Sequence, residues 1–132
     1  MMIKFSEATA IALHAMIYLA NRKDKVVPVG EISGAFRISS NHLSKLLQRL
    51  AKAGYLISFK GPKGGFQIAP KKINATFMEI YEMIEGKQCR QTCIFASRQR
   101  KCKNCIMGGI IPKVNKELAD YMASRRLTDF NI

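Results

Sequence analysis

Four cysteines fall on one short segment, as Cys89-x3-Cys93-x8-Cys102-x2-Cys105. Thiolates are soft ligands that bind zinc or iron–sulfur clusters. Arg90, Arg98, Arg100, Lys101 and Lys103 surround them, and such cations favour thiolate over thiol and offset the negative charge of a thiolate-ligated site. Four thiolates suit a 2Fe-2S or a 4Fe-4S cluster and also a structural zinc ion, which the spacing slightly favours because Cys102-x2-Cys105 is a common half-site. Cys102-x2-Cys105 could also be the redox pair of a thiol oxidoreductase. No βαβ pattern and no substrate-pocket motif accompanies it, so the chain reads as a protein without enzymatic activity.

The compartment bears on the same cysteines. The apolar run from Ala8 to Ala20 is interrupted by His14 and is shorter than the ~20 residues that span a bilayer. It has no basic leading region and no small-residue cleavage site. The expectation is a cytoplasmic protein without a membrane partner, whose thiols stay reduced and favour metal over disulfides.

A second set of residues points to a polyanion. The net charge is +13, from 22 Lys and Arg against 9 Asp and Glu. Its distribution says more than its total. No acid lies between Glu31 and Glu79, while Arg37, Lys45, Arg49, Lys52, Lys60, Lys63, Lys71 and Lys72 do. A second acid-free stretch, from Glu85 to Glu117, contains the cysteines. Segregation of this kind predicts attraction to nucleic acid. Asn41, His42, Ser44 and Lys45, near the start of a helix, have the chemistry to reach base edges and phosphates. Lys60 and Lys63, around Gly61-Pro62-Lys63-Gly64, can contact phosphates or a minor groove. RNA is the weaker partner, because the aromatic-bearing sheet of single-strand binders is missing.

The elements that must position these residues are legible. Ser6 can cap a first helix ending near Ala20, with Glu7 suiting the helix dipole. It is apolar almost all round, which predicts burial on several sides and suggests contact with another subunit. Val29–Phe36 reads as a short helix with Ile32, Ala35 and Phe36 inward. After a tight connection at Arg37-Ile38, Ser39 or Ser40 caps a third helix, which ends near Gly54. Leu43, Leu46, Leu47 and Leu50 form its core face. Two short strands, 55–60 and 65–69, flank a glycine-dependent turn. The span 76–85 reads as a helix with Phe77, Ile80, Met83 and Ile84 on its apolar side. A helix of about four to five turns starts near Gly109, with Pro112 in its first turn. Its stripe of Ile110, Ile111, Val114, Leu118, Tyr121 and Met122 suggests packing on a twin.

The fold class is therefore mainly α with a small β wing: a winged helix-turn-helix followed by a long C-terminal dimerisation helix. Residues 1–86 form the DNA-binding domain, 87–108 the cysteine-rich segment, and 109–132 the dimerisation helix and tail.

Four stretches carry a resemblance: FSEATAIALHAMIYLA at the start, SSNHLSKLLQRLAKAGYL at the recognition helix, GPKGGF at the wing, and the cysteines before the last helix. Together they resemble the Rrf-two family of bacterial transcription regulators. The resemblance implies a homodimer on a palindromic double-stranded operator, probed by Ser39, Asn41, His42, Ser44, Lys45 and Lys60. It also implies a repressor whose DNA affinity responds to redox state, iron or nitric oxide through an iron–sulfur cluster. Cluster-binding relatives carry three evenly spaced cysteines and a non-cysteine ligand, whereas this chain carries four at uneven intervals. Glu7 stands where some relatives recruit an acidic ligand from the partner's first helix; its role as a dipole partner is the simpler one. A purely structural zinc site is the alternative for Cys89, Cys93, Cys102 and Cys105. His14 is read as a packing or minor interface residue and His42 as part of the DNA face.

Overall fold

A computed structural model describes residues 5–87 and 103–132. Its first helix, α1 (Glu7–Ala20), begins where Ser6 Oγ accepts the Thr9 amide at 3.1 Å. Ala12, Ala15, Met16 and Leu19 are all buried. The all-round apolar surface suggests a second subunit, but the chain's own third and fourth helices, second strand and C-terminal turn cover it. Within α1 only Glu7 and His14 are exposed.

Helix α2 (Val29–Phe36) follows Pro28, and α3 (Ser40–Lys52) follows a two-residue turn and the Ser39 cap. Ile32 is fully buried, and the edge of the Phe36 ring meets His14 and Tyr18 at 5.5 and 5.8 Å. Ala35, expected inside, is exposed. A two-turn helix contacts the core along a narrow arc centred on Ile32 and Phe36, and Ala35 lies off that arc. Ser39 Oγ receives the His42 amide at 3.5 Å, and Ser40 Oγ donates to Ser33 Oγ at 3.0 Å, tying α3 to α2. The four leucines of α3 are all buried, as their spacing predicts.

Strands β1 (Leu56–Phe59) and β2 (Gly65–Ile68) pair antiparallel, with Leu56 opposite Ile68 and Phe59 opposite Gly65. Phe66 also exchanges both backbone hydrogen bonds with Val27, at 2.8 and 2.9 Å. This bond pair fixes the wing to the chain entering α2 and explains Gly65, while the close approach of the wing turn's own backbone explains Gly64. A Cβ on Gly65 would lie 2.2 Å from the Val27 carbonyl oxygen, and one on Gly64 2.2 Å from that of Phe59. At the base of the wing, Lys72 Nζ donates to Glu79 Oε2 at 2.8 Å and sits 4.7 Å from the Tyr55 ring centre. Burial, and then the Glu79 carboxylate, push the Tyr55 hydroxyl above its ordinary pKa.

Helix α4 (Phe77–Glu85) is capped by Thr76, whose Oγ1 accepts the Glu79 amide at 3.1 Å. Ile80 and Tyr81 are its buried residues; Tyr81, which the apolar pattern missed, packs edge-on against Phe5 at 5.8 Å. Helix α5 (Ile110–Ser124) follows Gly109, at φ 78°. The chain then returns to the core. The Phe77 amide donates to the Arg125 carbonyl at 2.9 Å and Leu127 to that of Ala75 at 3.1 Å, and Leu127 is fully buried. The expected single stripe of α5 divides in two. Ile111, Asn115, Ala119 and Met122 face inward, whereas Ile110, Val114 and Tyr121 are exposed. Residues adjacent in sequence are about 100° apart on a helix, so Ile110 and Ile111 cannot both face one partner squarely. Among the described residues, no helix is long and apolar enough to cross a membrane.

Replacing Gly65 with alanine forces apart the Val27–Phe66 backbone pair. We expect Gly65→Ala to cost about 2 kcal/mol or more of unfolding free energy, measured by urea titration.

Candidate nucleic-acid interface

The cap at Ser39 aims the first turn of α3 outward. Ser39, Asn41, His42 and Lys45 are exposed, and Ser44 is half-buried at the margin of the leucine face. Lys60 follows the first wing strand and Lys63 sits in the turn, both exposed. Polar groups able to read base edges therefore lie on one helix end, and two cations lie on the adjoining hairpin. Arg49, also on the polar side of α3, turns away from this surface: its Nη2 donates to the Ile84 carbonyl at 3.4 Å, on α4.

The electrostatics depend on where the acids are engaged. Glu31 accepts the Tyr18 hydroxyl at 2.6 Å, Glu79 binds Lys72, Asp120 binds Lys116 at 2.7 Å, and Asp129 accepts the Arg126 amide at 2.9 Å. Accepting that hydrogen bond from Tyr18, Glu31 holds the phenol above its ordinary pKa. Among the described residues, Lys45, Lys60 and Lys63 have no carboxylate within ion-pair distance. Their charge is thus available to an external anion.

A separate cluster joins α4 to α1. Thr9 is fully buried, and its hydroxyl donates to Glu85 Oε1 at 2.7 Å; the Ser6 hydroxyl donates to the same oxygen. These two hydrogen bonds, with help from Arg49, hold the Glu85 carboxyl below its usual range. The sequence pattern missed this cluster, because it reads Ser6 as a helix cap and nothing local links Ser6 or Thr9 to Glu85. Two residues after Glu85, at Lys87, the described chain gives way to the cysteine segment.

Of the candidate metal ligands, Cys89, Cys93 and Cys102 lie outside the described residues. Cys105 is exposed, five residues before α5. Among the described residues, no three His, Cys, Asp or Glu side chains converge as a metal site. Four thiols on one cation-rich segment remain a donor set that fits a cluster or zinc. Glu7 and His14 line a surface groove of about 270 Å³ together with Phe36 and Ile38. His14 Nδ1 donates to the Ala10 carbonyl at 2.6 Å, in keeping with a packing role.

A short helix, a tight turn, a polar recognition helix and a basic two-stranded hairpin define a winged helix-turn-helix DNA-binding regulator. The chain belongs to the Rrf2 family, described as iron-dependent transcriptional regulators, whose pattern matches residues 5–131. It is a transcription regulator and not an enzyme. It is 28% identical over 130 residues to an HTH-type transcriptional regulator of Aquifex aeolicus, covering 95% of this chain and 89% of that protein. It is 35% identical over 106 residues to the regulator NsrR of Shouchella clausii, covering 80% and 68%. Among solved structures, the fold matches CymR, the global cysteine regulator of B. subtilis, with a TM-score of 0.77 at 21% identity, covering 97% of this chain and 95% of that one. IscR of T. potens matches with a TM-score of 0.70 at 22% identity, covering 96% and 85%.

The hydrogen bonds from Ser6 and Thr9 to Glu85 predict an acid-sensitive component of stability. A carboxyl whose folded pKa is depressed contributes stability above its unfolded pKa, and that contribution is lost as pH falls through the folded value. In chemical denaturation followed from neutral to acid pH, the wild type should lose this component, and Glu85→Gln should show a shallower acid limb.

Proposed function

We propose that this regulator is a homodimeric repressor whose operator affinity is set by an iron–sulfur cluster on Cys89, Cys93, Cys102 and Cys105. The observation that carries the DNA part is the coincidence of exposed Asn41, His42 and Lys45 with Lys60 and Lys63, which no carboxylate neutralises. Such an arrangement suits a major groove read by α3 and a backbone or minor groove touched by the wing. Ser39 and Ser44 complete the contact set at its edges.

The dimer is supported by the outer stripe of α5. Ile110, Val114 and Tyr121 are each more than two-fifths exposed, and Ile106, just before the helix, is 88% exposed. A twin helix crossing this stripe removes it from water and sets two recognition helices about one turn of duplex apart, so the operator is palindromic. The family's description as iron-dependent supports the cluster reading.

When bound, the cluster supplies an iron centre whose oxidation, nitrosylation or loss changes the ligation of the thiols. The chain supplies the rest: cations that favour thiolate, and a segment joining the end of α4 to the start of α5. A switch requires that the two ligation states differ in DNA affinity. An anaerobic preparation with iron, sulfide and absorption measurements tests the cofactor. We expect a coloured protein whose operator affinity changes at least about tenfold when all four cysteines become serine, within the usual range of allosteric coupling. A colourless protein holding stoichiometric zinc, with unchanged affinity in the serine variant, would replace the sensor with a structural site.

The interface residues should separate by role. Lys45→Ala, Lys60→Ala and Lys63→Ala should weaken binding to all sequences and lower the slope of log affinity on log salt by about 0.9 per contact. Asn41→Ala should cost about 1–3 kcal/mol of discrimination at one base-pair position, measured by competition among operator variants.

A further inference from the structure

The turn between α2 and α3 contains the sole non-glycine residue with positive φ among the described residues: Arg37, at φ 55° and ψ 51°. The turn needs that conformation. It brings the Arg37 amide to the Ser33 carbonyl and places the Ile38 amide on the same oxygen at 3.0 Å. This closes α2 and lets Ser39 cap α3. Glycine adopts the left-handed region freely, and Asn or Asp tolerates it through local hydrogen bonds; a long side chain has neither advantage. Arginine is therefore the locally unfavourable choice at a position where a turn residue would suffice.

Among the described residues, nothing recovers this cost for the arginine side chain. Arg37 is exposed, and no hydrogen bond, ion pair or ring contact holds it among the described residues. It lies at the start of the acid-free stretch, two residues before the Ser39 cap. In helix-turn-helix docking the recognition helix enters the groove by its N-terminal end while the preceding helix crosses the sugar-phosphate backbone. A residue in the turn joining the two thus lies beside that backbone. A guanidinium there presents a planar donor fork matched to phosphate.

We infer that Arg37 contacts a DNA phosphate from the helix-turn-helix turn, at a position kept by arginine in spite of its backbone conformation. The inference rests on the DNA interface proposed above. It adds a positioning contact that neither the recognition-helix pattern nor the wing supplies.

The test compares Arg37→Asn, Arg37→Gly and Arg37→Lys with the wild type on a mixed-sequence DNA duplex over a salt series, alongside thermal melting. The Asn and Gly variants should melt at or above the wild-type temperature yet bind several-fold more weakly. Their slope of log affinity on log salt should be shallower by about 0.9 for each phosphate that is no longer neutralised. Arg37→Lys should retain the wild-type slope. Wild-type affinity and slope in the Asn and Gly variants would overturn the inference. So would a loss of affinity that follows a loss of melting temperature, or a Lys variant that behaves like Asn. If the wild type itself binds no duplex, the DNA interface fails as a whole; if it binds and only the Arg37 variants are silent, this contact alone fails.

Discussion

The structure depends on the near-complete burial of α1. Ala12, Met16 and Leu19 have no accessible surface, and Ala15 has almost none. The alanines matter as much as the larger residues, because a small side chain lets a neighbouring element approach closely. Leu43, Leu46, Leu47 and Leu50 share that core from the recognition helix, while Phe66 and Ile68 enter it from the wing and Leu127 from the C-terminal turn. A fully buried leucine contributes about 1.5–3 kcal/mol, so α3 is held to the body along its whole length. Recognition helix and wing are consequently set against one scaffold, and their relative position does not depend on DNA to form it.

The same economy governs charge. With a net charge of +13, a small chain attracts any polyanion, but ordinary salt confines that attraction to about a Debye length of 8 Å. What gives the charge direction is the placement of the acids. Glu31, Glu79, Asp120 and Asp129 are each committed to a hydrogen bond with their own chain, and none lies in the segment that forms the recognition helix and wing. The lysines there are left to an external partner. Lys72 shows the opposite use of a cation: paired with Glu79 and lying over Tyr55, it supports the hinge between wing and α4.

Much of this is legible in the residue order. The leucine spacing of α3, the Ser6 cap, the glycines of the wing and the proline in the first turn of α5 each constrain local backbone strongly, and each element appears where those constraints put it. The failures share a cause. Periodicity misplaces Ala35 and the α5 stripe because it shows that a helix has an apolar side but not how wide an arc its neighbours cover. The Glu85 cluster joins residues more than seventy positions apart, and no local pattern encodes such a contact. In the sequence Arg37 is recognisable as part of a tight connection and as one cation among eight in the acid-free stretch. Its conformation becomes informative once the turn is seen to require positive φ from a residue type that resists it.

The Glu85 cluster also bears on how a cysteine site could act on DNA. The end of α4 is held at three points: Ser6 and Thr9 bind the Glu85 carboxylate, and Arg49 of the recognition helix binds the Ile84 carbonyl. The segment carrying the cysteines departs immediately afterwards, and the chain returns through α5 to pair Arg125 and Leu127 with the start of α4. The start of α4 is therefore tied to the turn that follows α5, and its end is tied to α1 and to the recognition helix. In the sensor proposed above, a change of thiol ligation would reach the recognition helix through the contact between Arg49 and the Ile84 carbonyl. That route is short and runs through hydrogen bonds at the surface, where a displacement costs far less than repacking α1.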